Sequence, residues 1–233
     1  MNPPTPTGAA VPTSTGRKLV VLGALYFSQG LPFGFFTQAL PLLLRRAGYS
    51  LGEIGLAALL AAPWALKFLW APAVDRYGSP TLGRRRSWIL PLQALMALCL
   101  FGLALTAVDR SMSLLMAAVL LVNLLSATQD IATDGLAVDL LTPAERGLAN
   151  GLQVAGYRLG MIVGGGLLLI LQRQLGWATI FVAMAALVAV ATLPLLALRE
   201  PRLEVAHERR RAARAAHFLA RPGAWRLLGL VLS

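Results

Sequence analysis

Ionisable side chains stand inside otherwise apolar runs of this 233-residue chain. Lys67, Asp130 and Arg158 each lie within such a run, and Asp134 follows Asp130 by one helical turn. An ionised group at bilayer depth costs about 2.5–3.5 kcal/mol on insertion scales, so it usually faces a cavity or a partner. A carboxylate in such a place can load and release a proton, and a cation can hold an anionic group. We therefore predict proton-coupling candidates at Asp130 and Asp134, and substrate or ion-pair candidates at Lys67 and Arg158.

Six apolar runs are long enough to position these residues in a membrane, because a helix needs about 20 residues to cross one. The predicted spans one to six are Leu19–Leu44, Gly52–Val74, Ser87–Val108, Ser111–Leu140, Gly147–Leu171 and Ala178–Leu198. Backbone groups cannot stay unpaired in lipid, which makes these runs helices. The fold class is thus all-α integral membrane.

Composition agrees with a membrane protein, because 57% of the residues are hydrophobic and only 13% are charged. Soluble domains carry about 25% charged residues. The net charge of +11 would suggest nucleic acid in a soluble protein. Here the basic residues flank the spans, so they set topology and can contact anionic lipid, and no nucleic-acid partner is expected.

The basic residues in the connections also give an orientation. Fifteen Lys and Arg residues lie on the side of the N-terminus, and four, Arg45, Arg46, Arg110 and Arg173, lie on the other. Cytoplasmic loops are the ones enriched in Lys and Arg, so the N-terminus is predicted to be cytoplasmic. Residues 1–16 read as a disordered cytoplasmic tail, 17–200 as the six-span bundle, 201–222 as a basic cytoplasmic linker, and 223–233 as the start of a truncated seventh span.

Span four carries one polar stripe at helical spacing. Its members are Asn123, Ser126, Asp130, Thr133, Asp134 and Ala137. Two interpretations stay open: the stripe lines an aqueous cavity, or it bonds to neighbouring helices. Further candidates for contact with a solute, or for ion pairing, are Tyr26, Gln29, Asn123, Gln153 and Tyr157.

Span five is predicted to run back along span four after the turn at Thr142–Pro143, which would bring Arg158 within a turn of Asp130. Such a pair is either structural or opened by substrate or protonation. Gly156, Gly160 and Gly164 form two overlapping small-xxx-small steps, which predict a close helix contact. In span one, Pro32 predicts a kink or a helix interruption beside a cavity.

The connection after span two reads DRYG at residues 75–78 and GRRR at residues 83–86. This resembles the signature loop of the major facilitator superfamily, although Ala71 replaces the first glycine and five residues separate Gly78 from the arginines. In that superfamily the loop makes gating contacts with the other half of the protein. The resemblance implies a gating role for Asp75, Arg76, Arg84 and Arg85.

Longer strings narrow the resemblance. They are KFLWAP at 67–72, ATQDIATDG at 127–135, ERG at 145–147 and GYRLG at 156–160. Together they look like the AmpG-type muropeptide permeases, a group similar to acetyl-coenzyme A transporters and to siderophore importers of the rhizobactin and pyochelin type. The opening string LYFSQGLPFG at 25–34 most resembles the siderophore branch of this group. The resemblance implies the N-terminal six-helix bundle of a major facilitator fold in the inner (cytoplasmic) membrane.

Such transporters have twelve or more spans in two halves, so a C-terminal half is expected as the missing partner. The predicted function is secondary, proton-driven transport of a small-molecule solute such as a siderophore or a muropeptide. A native six-span unit that dimerises, and a remnant that transports nothing, are the alternatives. A membrane-embedded aspartyl hydrolase is disfavoured because Asp130 and Asp134 share one helix. No enzyme activity, cofactor or metal is expected, since no phosphate-binding loop appears and the two histidines, His207 and His217, lack ligand spacing.

Overall fold

A computed structural model describes residues 14–79, 81–105 and 112–198, apart from the side chain of Arg173. In this part of the chain six helices are long and apolar enough to cross a membrane. They are Thr15–Arg46, Leu51–Leu69, Arg86–Ala104, Met112–Leu140, Arg146–Gln172 and Gln174–Leu196, and we keep the names span one to span six for them. A short helix, Ala71–Arg76, follows span two. The all-α membrane fold class is confirmed.

The boundaries differ from the predicted ones mainly at the ends. Span one begins at Thr15, so residues 15 and 16, assigned to the tail from the sequence, are helical. Residues 1–13 of the predicted tail, the linker at 201–222 and the seventh span at 223–233 lie outside the described residues. A kink near the start of span six lies at Gly176, whose φ of 75° is a left-handed value that residues with a side chain rarely adopt.

Three spans depart from regular α-helix, and span five does so in a π-helical stretch at Ile162–Leu167. Span one continues through Pro32 and widens into a π-helical stretch at Phe35–Ala39. Span two contains two 3-10 turns, Ala58–Ala61 and Lys67–Leu69. It begins with a capping box in which Ser50 and Glu53 exchange hydrogen bonds, so its start is fixed locally.

Span one is the central helix of the bundle and packs against spans four, five and six, while span three packs between spans four and six. The largest apolar cluster of buried residues lies among spans one, three, four and six and includes Phe35, Met96, Val122 and Phe181. Span two contacts mainly span four and keeps most of its surface exposed. We call the end of the bundle that carries Thr15, the 77–85 and 141–145 connections and Leu198 the basic end.

The contact between spans one and five is made by glycines. A Cβ at Gly160 would collide with the carbonyl oxygen of Phe27, and one at Gly164 with the carbonyl oxygen of Leu31. A Cβ at Gly156 would stand 2.9 Å from the carbonyl oxygen of Gly23. The predicted close packing at these three glycines is therefore confirmed, and span one is the helix that they admit.

Candidate functional site

Asp130 and Lys67 form an ion pair within the membrane-spanning region. Asp130 comes from the buried polar stripe of span four, whereas a third of the Lys67 side chain is exposed. The Lys67 ammonium also lies 5.5 Å from the centre of the Trp64 ring, within range of a cation–π contact. The pair neutralises two charges that would each be costly alone at this depth.

Two tryptophans extend this contact between spans two and four. The Trp64 Nε1–H donates to Asn123 Oδ1 at 3.1 Å, and the Trp70 Nε1–H donates to Thr128 Oγ1 at 3.1 Å. Trp64, Lys67 and Trp70 recur every three residues, and side chains three apart align where the backbone is a 3-10 helix. The local 3-10 turn at Lys67–Leu69 thus helps to aim all three side chains at span four.

Span one bonds to the other edge of the same stripe. The Tyr26 hydroxyl donates to Asp134 Oδ1 at 2.8 Å, and Gln29 Nε2 donates to Thr133 Oγ1 at 3.2 Å. Of the two interpretations of the stripe, bonding between helices accounts for Asn123, Asp130, Thr133 and Asp134. The site is open to its surroundings at exposed Asp134 and at the partly exposed Lys67.

The predicted pairing of Asp130 with Arg158 is wrong. Span five packs along span one and not along span four, so chain neighbours joined by a short turn are not neighbours in space. Arg158 is exposed, and its Nη1 lies 3.9 Å from Met161 Sδ. Among the described residues it forms no ion pair.

Tyr157, the neighbour of Arg158, joins an aromatic group that connects three spans. The ring centre of Phe33 lies 5.6 Å from that of Tyr157 and 5.7 Å from that of Trp64. All three rings are partly exposed. They form an aromatic wall beside the Lys67–Asp130 pair, since the Lys67 ammonium lies over the Trp64 ring.

A group of buried amide side chains was not identified as a cluster from the sequence. Gln93 of span three donates from Nε2 to the Ser28 hydroxyl at 2.8 Å, which in turn donates to the Leu25 carbonyl oxygen at 2.7 Å. Gln29 and Gln129 are also fully buried. The sequence signal that could have indicated this cluster is the presence of glutamine at equivalent depths in spans one, three and four.

The loop predicted to gate forms a compact ion-pair network at the basic end. Arg85 is buried and donates from Nη1 to Asp75 Oδ1 at 2.5 Å and from Nε to Asp139 Oδ2 at 3.3 Å. Arg84 donates from Nη2 to the same Asp139 oxygen at 3.4 Å. Asp139, at the end of span four, was not among the predicted gating residues, and exposed Arg76 forms no ion pair within the described part of the chain.

Glycine at position 135 makes room for this network, since a Cβ there would collide with the Arg85 guanidinium. Gln153, another predicted candidate, lies elsewhere. It lines a groove between spans one, four and five together with Tyr26. Apart from exposed Arg158 and Arg76, the sequence candidates thus divide among a central site (Lys67, Asp130, Asp134, Tyr26, Gln29, Asn123 and Tyr157), the loop network and this groove.

Comparison with known proteins identifies the family. The model of the family described as acetyl-coenzyme A transporter 1 matches residues 18–175. The chain belongs to this family. The match covers all the residues of the central site and of the loop network.

Similar proteins include permeases and transporters. The anhydromuropeptide permease of Escherichia coli (strain K12) is 33% identical over 219 residues, which are 92% of this chain and 44% of the permease. An uncharacterized protein of Haemophilus influenzae is 34% identical over 190 residues, 81% of this chain and 45% of its own length. The putative transporter AmpG 4 of Rickettsia felis is 30% identical over 191 residues, which are 80% of this chain and 45% of that transporter.

These matches confirm the AmpG-type resemblance. The chain spans less than half of the length of the curated relatives that it matches, which fits one half of a two-half transporter. The names of the relatives are those of transporters and not of enzymes, in agreement with the prediction from the sequence.

Proposed function

We propose that the chain forms the N-terminal half of a proton-coupled secondary transporter, with its basic end in the cytoplasm and its spans in the inner (cytoplasmic) membrane. The observation that carries this proposal is the Lys67–Asp130 pair, with Asp134 held by Tyr26 one turn away. Asp130 lies ten residues from the end of span four, about 15 Å into the helix at 1.5 Å per residue. The partners in this proposal are the solute, protons, membrane lipid and a C-terminal half.

Protonation of Asp130 would cancel its attraction to Lys67. Since span two is attached to span four by this pair and by two indole hydrogen bonds, loss of the pair would loosen span two more than any other span. Binding or release of one proton would then be coupled to movement of a helix beside the site. Such a proton-dependent contact would supply the two states that a proton-coupled carrier requires.

The solute in this proposal is anionic. Arg158 is exposed and forms no ion pair among the described residues, so an anionic guest would compensate its charge. The relatives named for anhydromuropeptides and for acetyl-coenzyme A favour such a guest, because peptide carboxylates and phosphates are anions. A muropeptide is our first candidate, and a carboxylate-bearing siderophore would use the same cation.

The test uses the full-length transporter in proteoliposomes with an imposed pH gradient and a radiolabelled anhydromuropeptide. Asp130→Asn should abolish accumulation against the gradient and leave solute exchange measurable. Glu53→Gln is the control, because glutamine also completes the capping box of span two. If accumulation survives in Asp130→Asn with unchanged pH dependence, Asp130 has a structural role. Asp134→Asn would then be measured in the same way.

A wild-type protein that folds and neither accumulates nor exchanges the solute would favour the alternative of a non-transporting remnant.

The orientation of the bundle in the membrane is tested separately. With Cys99 replaced by Ala, Ala47→Cys and Ala144→Cys place single thiols in exposed connections at opposite ends of the bundle. In intact cells an impermeant thiol reagent should modify the cysteine at 47 and not the one at 144. The reverse pattern would overturn the cytoplasmic placement of the basic end.

A further inference from the structure

A groove separates spans four and five at the basic end. It exists because span five packs on span one and leaves a gap toward span four. Its walls are apolar at Leu22, Val138 and Leu141, and polar at Tyr26 and along span five. Elsewhere these spans expose large apolar side chains such as Leu120, Leu124, Leu148 and Val154, and the groove differs from such surface because one of its sides is polar.

The polar side of the groove follows a helical stripe of span five. Arg146, Asn150 and Gln153 line it, and Tyr157 continues the series at i, i+4, i+7 and i+11. At about 100° per residue these four lie within a sector of about 60°, and they extend over about 16 Å of helix. Gly156 and Gly160, which face span one, lie just beside this sector, and exposed Ala155 lies on the opposite side of the helix.

The hydrogen-bonding groups of this stripe are not used to hold the bundle together. Within the described residues, the side chains of Asn150 and Gln153 make no hydrogen bond, and Arg146 forms no ion pair. Arg146 is also the first residue of span five, where a cation opposes the helix dipole and does not stabilise the helix. A positive charge at the basic end sets topology, but topology does not require this charge to line a groove.

We propose that this stripe is a binding site for the anionic solute on its path to the basic end, with Arg146 on a carboxylate or phosphate and Asn150 and Gln153 on neutral polar groups. The proposal rests on the transport function above and adds Arg146 and Asn150 to its residues. Tyr26, which donates to Asp134, lies on the far wall of the same groove. A solute in the groove would therefore lie beside one of the two proposed proton carriers.

Thiol accessibility tests the groove. In the full-length transporter with Cys99→Ala, reconstituted in nanodiscs, Gln153→Cys and Ala155→Cys place thiols at similar depth on opposite faces of span five. We expect a charged methanethiosulfonate reagent to modify the cysteine at 153 at least 10-fold faster than the one at 155. Millimolar anhydromuropeptide should slow the reaction at 153 at least 5-fold and leave 155 unchanged. Equal rates at the two positions, or no protection at 153 in a variant that still transports, would overturn the proposal.

Substitution of Arg146 tests the assigned chemistry. Arg146→Gln should raise KM for an anhydromuropeptide at least 5-fold with little change in kcat. Arg146→Lys should return KM most of the way to the wild-type value. For an amidated solute, KM should be the same in the wild type and in Arg146→Gln. An equal loss for the charged and the amidated solute would assign Arg146 a structural role. An unchanged KM in a protein that still accumulates solute would remove the site and leave the transport function standing, whereas absence of transport in the wild type would contradict the function itself.

Discussion

Two helix contacts in this bundle are built on opposite principles. Spans one and five meet backbone to backbone, through glycines that leave no space for a Cβ. Spans two and four meet through the ends of long polar side chains, the Lys67 ammonium and the indole N–H groups of Trp64 and Trp70. The first contact depends on shape, and the second depends on charge and hydrogen bonds.

The difference indicates which part of the molecule can change its arrangement. A close-packed backbone contact tolerates only small displacements, because interiors have few alternative packings. A long side chain can release one partner and reach another at the cost of rotamer freedom and one hydrogen bond. Span two also exposes large apolar side chains such as Leu59, Phe68 and Leu69, so little packing holds it to the rest of the bundle.

The largest expected effect is at the glycine contact. Gly160→Leu places four carbon atoms where the Phe27 carbonyl and the Gly30 backbone already lie. Overpacking a tight contact costs about 1–3 kcal/mol, and more where backbone is the obstacle. We expect the yield of monodisperse protein in detergent, measured by size-exclusion chromatography, to fall several-fold.

Gly166→Leu is the matched control, because a Cβ at Gly166 meets nothing within 4 Å among the described residues. Its yield should stay close to that of the parent. If Gly160→Leu and Gly166→Leu give the same yield, the dense contact between spans one and five does not exist in the folded protein.

The ion pair should give the second largest effect. Lys67→Met or Asp130→Asn alone removes one partner of the pair, and the double change removes both. Breaking a buried pair costs about 3–5 kcal/mol, and the exposure of Lys67 reduces that figure to about 1–3 kcal/mol here. We expect the double variant to recover part of the single losses in thermal unfolding followed by tryptophan fluorescence.

Arg158→Gln supplies the comparison for this cycle. Since span five does not pack against span four, its effect should add to that of Asp130→Asn with no coupling. Coupling between positions 130 and 158 without coupling between 130 and 67 would reverse the assignment of partners.

The sequence carried enough information for the spans and for the glycine contact, because apolar length and small-residue spacing are local properties. It did not carry the neighbour of each span. A short turn at Thr142–Pro143 suggested a hairpin of spans four and five, yet the glycines of span five fit span one. The glycine pattern showed that some helix approaches closely, without saying which.

The pairing of Asp130 with Lys67 could have been predicted from the sequence. Lys67 was recognised as a charge inside a span, and its own need for a counter-ion pointed to a carboxylate. The spacing of Trp64, Lys67 and Trp70 identifies one face only if the backbone is a 3-10 helix there, and the sequence was interpreted with α-helical spacing. Asp139 was missed because its partner, Arg85, reaches it across Gly135.

A smaller effect is expected at the indole hydrogen bond nearest the loop. Trp70→Phe removes the donor to Thr128 Oγ1 and keeps most of the ring volume. A single hydrogen bond contributes about 0.5–1.5 kcal/mol net, so unfolding should shift by that amount. Thr128→Val tests the same bond from the other side, and the two losses should be less than additive. Full additivity would mean that the bond does not form.

The smallest effect is expected where the starts of spans one and five are joined by charge. Glu145 accepts from the Thr15 hydroxyl at 2.5 Å, from the Thr142 backbone N–H at 2.8 Å and from the Lys18 ammonium at 2.9 Å. These bonds, the one from Thr15 first, lower the pKa of Glu145 from 4.5 to about 2.

The folded-state pKa is the depressed one, so the stabilisation is fully present above pH 4.5 and is lost as the pH falls toward 2. Only 13% of the Glu145 side chain is exposed, but it lies at the end of the bundle, so solvent screens part of the contribution. We expect Glu145→Gln to lower the melting temperature slightly and equally at pH 7 and pH 5.5, and the difference from the parent to shrink steadily between pH 4.5 and the lowest pH at which the protein stays folded. A difference that grows as the pH falls would have the wrong sign for a depressed pKa and would contradict these hydrogen bonds to the Glu145 carboxylate.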